Sequence, residues 1–209
     1  MRRTVFLLLF LPLLFGIDAA AEPQEPAITV AVYDRAAMKA ETLLAGEREA
    51  GRILSLAGVP VHWLNCRTVP GGVGDDCLAT MSNNTLVLTI VARSHSALKT
   101  EEMGYAFNGN ETGSWCSIFR SRVDEISAFA HVSVTRLLGA AIAHELGHLV
   151  KGLDSHSEEG VMSAHWRKRE IQAVSRGALI FTKTDTERIQ KRLRQTSSVS
   201  LQRESSAAQ

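Results

Sequence analysis

An excess of charge of either sign is missing from this sequence: 23 lysines and arginines face 22 aspartates and glutamates. That balance leaves no electrostatic footprint for nucleic acid or for an anionic membrane surface. Beyond residue 21 there is no apolar run of the roughly 20 residues that a membrane-spanning helix needs. Cysteine is scarce, at three, and none of the three stands in a Cys-x-x-Cys pair, which argues against a thiolate metal site. Internal repeats are lacking. Only residues 22–26 and the tail 196–209 (TSSVSLQRESSAAQ) have the composition of disordered chain.

What is present begins with an export signal. Arg2 and Arg3 precede an apolar stretch over 5–17, and Ala19-Ala20-Ala21 supplies a small-residue cleavage site ahead of Glu22. Residues 1–21 therefore read as a signal peptide, too short in its apolar part for a stable membrane anchor. Their removal takes away Arg2, Arg3 and Asp18 and brings the formal charge to zero. The expectation is a secreted or periplasmic monomer, with residues 22–195 forming one domain. In such a compartment Cys66 and Cys77, which bracket RTVPGGVGDD, are most simply a disulfide worth about 3 kcal/mol. Cys116 is left over, either as a buried thiol or as the partner of one of the other two.

Hydrophobic patterning gives an α+β order. Residues 28–33 (ITVAVY) read as a strand, 36–56 as a long helix apolar on one side, and 59–64 (VPVHWL) as a second strand. A β-α-β unit of this kind places its strands parallel. Residues 85–92 (TLVLTIVA) form an unbroken apolar run, expected as a central strand buried on both faces. Residues 103–107 read as a short edge segment and 115–119 (WCSIF) as a strand, followed by a short helix to about His131. Charged helices follow, one over 167–177 and one from Thr184 to about Leu193. Their Arg and Lys residues read as solvated faces.

Between these lies the stretch that carries chemistry. Residues 134–151 (VTRLLGAAIAHELGHLVK) read as a helix, with Ser133 placed to cap its start and Gly152 to end it. His144 and His148 fall four residues apart and so share one face, the arrangement that puts two imidazole nitrogens on one zinc at about 2.0–2.1 Å each. Glu145 stands beside the first histidine, where it reaches a metal-bound water as general base without being a ligand. A catalytic zinc takes three protein ligands, so the chain beyond His148 decides the class. It reads LVKGLDSHSEEGVM.

With those residues the block resembles a metzincin metallopeptidase of the matrixin type, through His144, Glu145, Gly147, His148, Gly152, His156, Ser157 and Met162. It also resembles small exported bacterial proteins carrying HELGH, Ser-His-Ser and Gly-x-Met. The resemblance covers about residues 140–166. It implies a zincin-like α+β fold with a mixed sheet, a long packing helix and a C-terminal helical part. It further implies a zinc cofactor, Glu145 as catalytic base, Met162 in a turn beneath the metal, and peptide or protein as substrate. One departure bears on the third ligand. The family places Gly three and His six residues after the second histidine, where this chain has Lys151 and Asp154. Asp154 at that spacing resembles snapalysin-like proteins, in which an aspartate is the third ligand. His156 is the preferred third ligand, because the helix ends at Gly152 and a loop absorbs an added residue; Asp154, Glu158 and Glu159 remain alternatives. His62 and His165 read as strand and loop histidines. A different class, an exported binding or assembly domain with a structural zinc, would close the site with a fourth protein donor. Substrate would lie along an edge strand, with 104–107 or 115–119 as candidates.

Overall fold

A computed structural model describes residues 27–66, 68–69, 72–73, 77, 82, 85–93, 102–109, 113–152 and 155–207. The expected signal peptide and Asp154 lie outside these residues. β-Branched and apolar residues open the chain as β1 (Ile28–Asp34), followed by α1 (Ala40–Ser55) and β2 (Val61–Cys66). β1 and β2 pair in parallel, Val30 opposite Trp63, as the β-α-β reading requires. Two short strands, β3 (Thr68–Val69) and β4 (Gly72–Val73), form an antiparallel hairpin inside the Cys66–Cys77 loop. Cys66 and Cys77 are disulfide-bonded and Cys116 is a buried free thiol.

The main sheet adds β5 (Leu86–Val91), β6 (Gly104–Gly109) and β7 (Gly113–Phe119) in the order β2-β1-β5-β7-β6. Four strands run parallel and β6 returns antiparallel at one margin. The edge facing this end is therefore 104–109, whereas residues 115–119 are interior, between β5 and β6. β5 is central, but only one of its faces is fully buried. Leu88 and Ile90 are inaccessible among the helix-side core, while Val87 and Thr89 on the other face are half-buried.

The helices α2 (Arg120–Ala130), α3 (Val134–Lys151), α4 (Lys168–Ser175) and α5 (Lys183–Ala207) complete the fold. α3 has the bounds that its apolar pattern indicates. α5 continues to Ala207, past the point near Leu193 where charge patterning suggested an end and into the segment 196–209 that composition suggested as a disordered tail. No glycine or proline follows Gly177, so nothing local stops a helix in a stretch rich in Arg, Lys, Gln and Glu.

The core between sheet and helices combines Val30 and Val32 of β1, Ile53 and Leu54 of α1, Leu88 and Ile90 of β5, Ile118 of β7, and Leu137, Leu138, Ile142 and Leu146 of α3. α1 and α3 approach unusually closely. A Cβ on Gly46 would stand 2.6 Å from Leu138 Cδ2, and one on Gly139 would stand 2.5 Å from Glu49 Cβ and 2.7 Å from the Gly46 carbonyl oxygen. The second contact includes backbone, so it has no side chain to swing aside. Gly139→Val is expected to destabilise the protein by about 2–3 kcal/mol through overpacking. Urea denaturation measures it, and an unchanged midpoint would mean that the two helices have room to separate.

Candidate metal centre

α3 is apolar almost all round, yet its C-terminal half carries His144, Glu145 and His148. The helix ends at Gly152, whose φ of 122° is open to glycine and costly for other residues. Its N–H donates to the His148 carbonyl at 3.0 Å. The chain then turns back beneath the helix. Ser157 N–H donates to the Met162 carbonyl at 2.8 Å, and Val161 N–H donates to the Ile180 carbonyl at 2.9 Å. This return brings His156 to the two helical histidines.

One nitrogen from each of His144, His148 and His156 lies within 4.8 Å of the others. The Nε2 atoms of His144 and His148 are 3.1 Å apart. Two donors each about 2.0–2.1 Å from a tetrahedral zinc stand roughly 3.3 Å apart, so the pair is already at coordinating separation. His144 is also held in a usable tautomer. Its Nδ1 is 2.7 Å from the Val161 carbonyl oxygen, which only accepts, so the proton sits on Nδ1 and the Nε2 lone pair faces the centre. The Trp166 indole N–H donates to the same carbonyl at 3.2 Å.

Electrostatics favour uncharged ligands. Burial lowers the His144 pKa to about 4, opposed by the Val161 hydrogen bond and helped by smaller contributions from the neighbouring His156 and Lys151. Burial likewise lowers His148 to about 3, helped by His144, His156 and Lys151 and opposed by the Gly152 backbone. Its Nδ1 is buried without a well-formed hydrogen bond. Neutral imidazole is the form that binds a metal. An imidazole trio, with no thiolate in the group, suits zinc.

Glu145 points from the same helix towards the sheet margin. A Cβ on Gly104 of β6 would come within 2.9 Å of Glu145 Cγ and Oε1, so the bare glycine makes room for the carboxyl. Burial, with a smaller contribution from the Glu102 charge, raises the Glu145 pKa to about 8. Met162 is inaccessible and lies under Gly147, where a Cβ would stand 2.4 Å from its sulfur and 2.9 Å from Phe181 Cε1. The glycine within HELGH thus admits both the Met162 side chain and Phe181.

The other candidates fall elsewhere. Glu158 and His165 are exposed, and Glu159 pairs with Arg169. His62 is exposed on β2, at the opposite margin of the sheet from β6. Two residues beside the site were not singled out from the sequence. Lys151, in the place where the family pattern has glycine, is buried and paired with Asp185 of α5. A signal for it existed: a lysine three residues after His148 faces the same side of an otherwise apolar helix.

No protein-family model and no curated protein matches the sequence. Among solved structures, a zinc-dependent peptidase from Methanocorpusculum labreanum is similar at 14% identity and a TM-score of 0.52, over 77% of this chain and 99% of that one. An archaemetzincin from Methanopyrus kandleri aligns at 20% identity and a TM-score of 0.49, over 83% of this chain and 99% of that one. A metalloproteinase-II from Bacteroides fragilis aligns at 11% and 0.48, over 80% of this chain and 53% of that one. The first of these likenesses is one of fold, a mixed α+β domain.

The raised Glu145 pKa has a stability signature in metal-free protein. Between the ordinary value of 4.5 and about 8, the folded state keeps a proton that the unfolded state has released, so stability falls as pH rises through that window. Glu145→Gln carries no such loss. Its advantage over wild type should therefore grow by about 3–5 kcal/mol from pH 4.5 to pH 8, measured by denaturant titration of chelator-treated proteins. A pH-independent difference would mean that the carboxyl is already ionised in the free site.

Proposed function

We infer that this protein is an exported zinc-dependent peptidase of metzincin-like design. The observation that carries the reading is the convergence of three imidazoles beside a buried carboxyl on one helix. His144, His148 and His156 would hold the metal, which supplies Lewis acidity towards a carbonyl oxygen and a lowered pKa for water. Val161 fixes the His144 ring through its carbonyl, and Met162 packs under the helix without coordinating. A nearby dication favours the ionised form of Glu145. The carboxylate then accepts the proton of a water attacking the scissile carbonyl and returns it to the leaving nitrogen.

β6 supports the substrate class. Among the described strands it pairs only with β7, so its outer backbone groups are available to an extended peptide added as a further strand. Gly104 of that strand abuts Glu145, so a chain lying along β6 would pass the proposed base. The disulfide supports export to an oxidising compartment. Among the described residues no helix is long and apolar enough to cross a membrane. The rival reading, a structural zinc in a binding domain, needs a closed donor set. His156 is exposed, and among the described residues the group holds three donors only, which favours an open catalytic site.

Glu145→Gln tests the function. The variant should keep its zinc and its fold and lose about 10²–10⁴-fold in peptide cleavage, the usual worth of a positioned acid–base group. The comparison uses matched zinc-loaded preparations and a peptide library. Equal rates would assign the cleavage to a contaminant, and no cleavage by either form would leave the binding domain as the better reading. For the third ligand, His156→Ala should weaken zinc binding well beyond the roughly 10–100-fold typical of a supporting residue, and Asp154→Ala should not. The reverse order, read by chelator competition, would give the position to Asp154.

A further inference from the structure

Resting on the zinc-site reading above, we propose that the buried Lys151–Asp185 pair is a positioning device for the third ligand, holding the His156 loop against α3 and α5. His144 and His148 are placed by the helix that carries them. His156 lies beyond Gly152, where the helix has ended, so its approach must be fixed by contacts other than the backbone of the helix.

The contacts around Lys151 do this from both sides of the ligand. Its ammonium donates to the Ser155 carbonyl, on the residue before His156, and to Ser157 Oγ, on the residue after it, at 3.0 Å. Ser157 Oγ in turn donates to Asp185 Oδ1 at 2.6 Å, the same oxygen that receives Lys151. Asp185 is anchored in its own helix terminus. Its other oxygen accepts from Thr182 Oγ1 at 2.7 Å and from Thr182 N–H at 3.2 Å, while its N–H donates back to Thr182 Oγ1 at 3.1 Å, a reciprocal cap on α5. The side chains of Lys151 and Asp185 are 0% and 1% exposed. A buried ion pair adds little net stability over an apolar pair of similar volume, but its hydrogen bonds are directional. Here every direction ends on a residue flanking His156 or on the cap of α5. The lysine thus stands where the related motif has glycine and ties down the longer loop that this chain uses to reach its third histidine.

Lys151→Met/Asp185→Asn removes both charges while keeping side-chain volume, and Ser157→Ala removes only the link to the residue after His156. Zinc affinity is read by competition with a chromogenic chelator, ligand geometry by the visible spectrum of the cobalt-substituted protein, and folding by circular dichroism of the metal-free forms. The double variant should fold, bind zinc about 10–100-fold more weakly and show an altered cobalt spectrum. In that background His156→Ala should cost less affinity than it costs in wild type, because the ligand it removes is no longer held. Ser157→Ala should move in the same direction by a smaller factor, and it decides the matter if the double variant does not fold. Unchanged zinc affinity, or a His156→Ala loss of the same size in both backgrounds, would reduce the pair to a purely structural contact and overturn the proposal. Failure of the zinc-site reading looks different: His144→Ala in the otherwise wild-type protein would then leave zinc binding intact.

Discussion

The site depends first on how tightly α3 is buried. A helix packed on the sheet by Leu137, Leu138, Ile142 and Leu146 is held rigidly enough for two side chains one turn apart to keep a fixed separation. That packing demands small residues where neighbours come closest. Gly139 meets α1 at backbone distance, and Gly147 leaves the space that Met162 and Phe181 fill. The same helix must then carry polar groups into an apolar setting, and every electrostatic property of the centre follows from that conflict.

Burial pushes the group towards neutrality. His144 and His148 lose affinity for protons and Glu145 gains it, so the metal-free centre is a set of desolvated polar atoms with little net charge. Such atoms are costly unless paired. His144 is satisfied by the Val161 carbonyl, whereas His148 Nδ1 has no well-formed partner. A cation between the facing Nε2 atoms of His144 and His148 would stabilise those buried lone pairs while leaving His148 Nδ1 as it is, coupling metal affinity to the stability of the fold. It would also turn the neighbouring carboxyl from a buried acid into a base, because a positive charge within a few ångströms favours the ionised form.

Much of this was legible in the sequence, for physical reasons that also mark the limit. Periodicity is local, so β1-α1-β2, the bounds of α3 and the helical placement of His144, Glu145 and His148 could be read directly. His156 lies within reach of the other two, beyond a helix that ends at Gly152 rather than at Lys151. The Cys66–Cys77 disulfide agrees with the pairing that the spacing of the two cysteines suggested. Strand order was less accessible: nothing in WCSIF distinguishes an interior strand from an edge, and only the antiparallel return of β6 decides it. The length of α5 was misread because polarity and small residues resemble disorder even where no glycine or proline interrupts a helix.

The residues missed are those whose role depends on partners far along the chain. Asp185 looked like part of the opening of a charged helix, and Phe181 carried no signal of its own. In the fold the segment 180–185 forms the floor of the centre. The Ile180 carbonyl receives Val161 N–H, Phe181 fills the space under Gly147, and Asp185 binds Lys151. The three contacts act on different parts of the site: the turn that orients His144, the helix that bears His148, and the loop that bears His156. Residues 144–148 carry two of the three gathered imidazoles and the buried carboxyl, but the geometry around them is set by a part of the chain more than thirty residues downstream, joined to it by hydrogen bonds and packing between residues far apart in sequence.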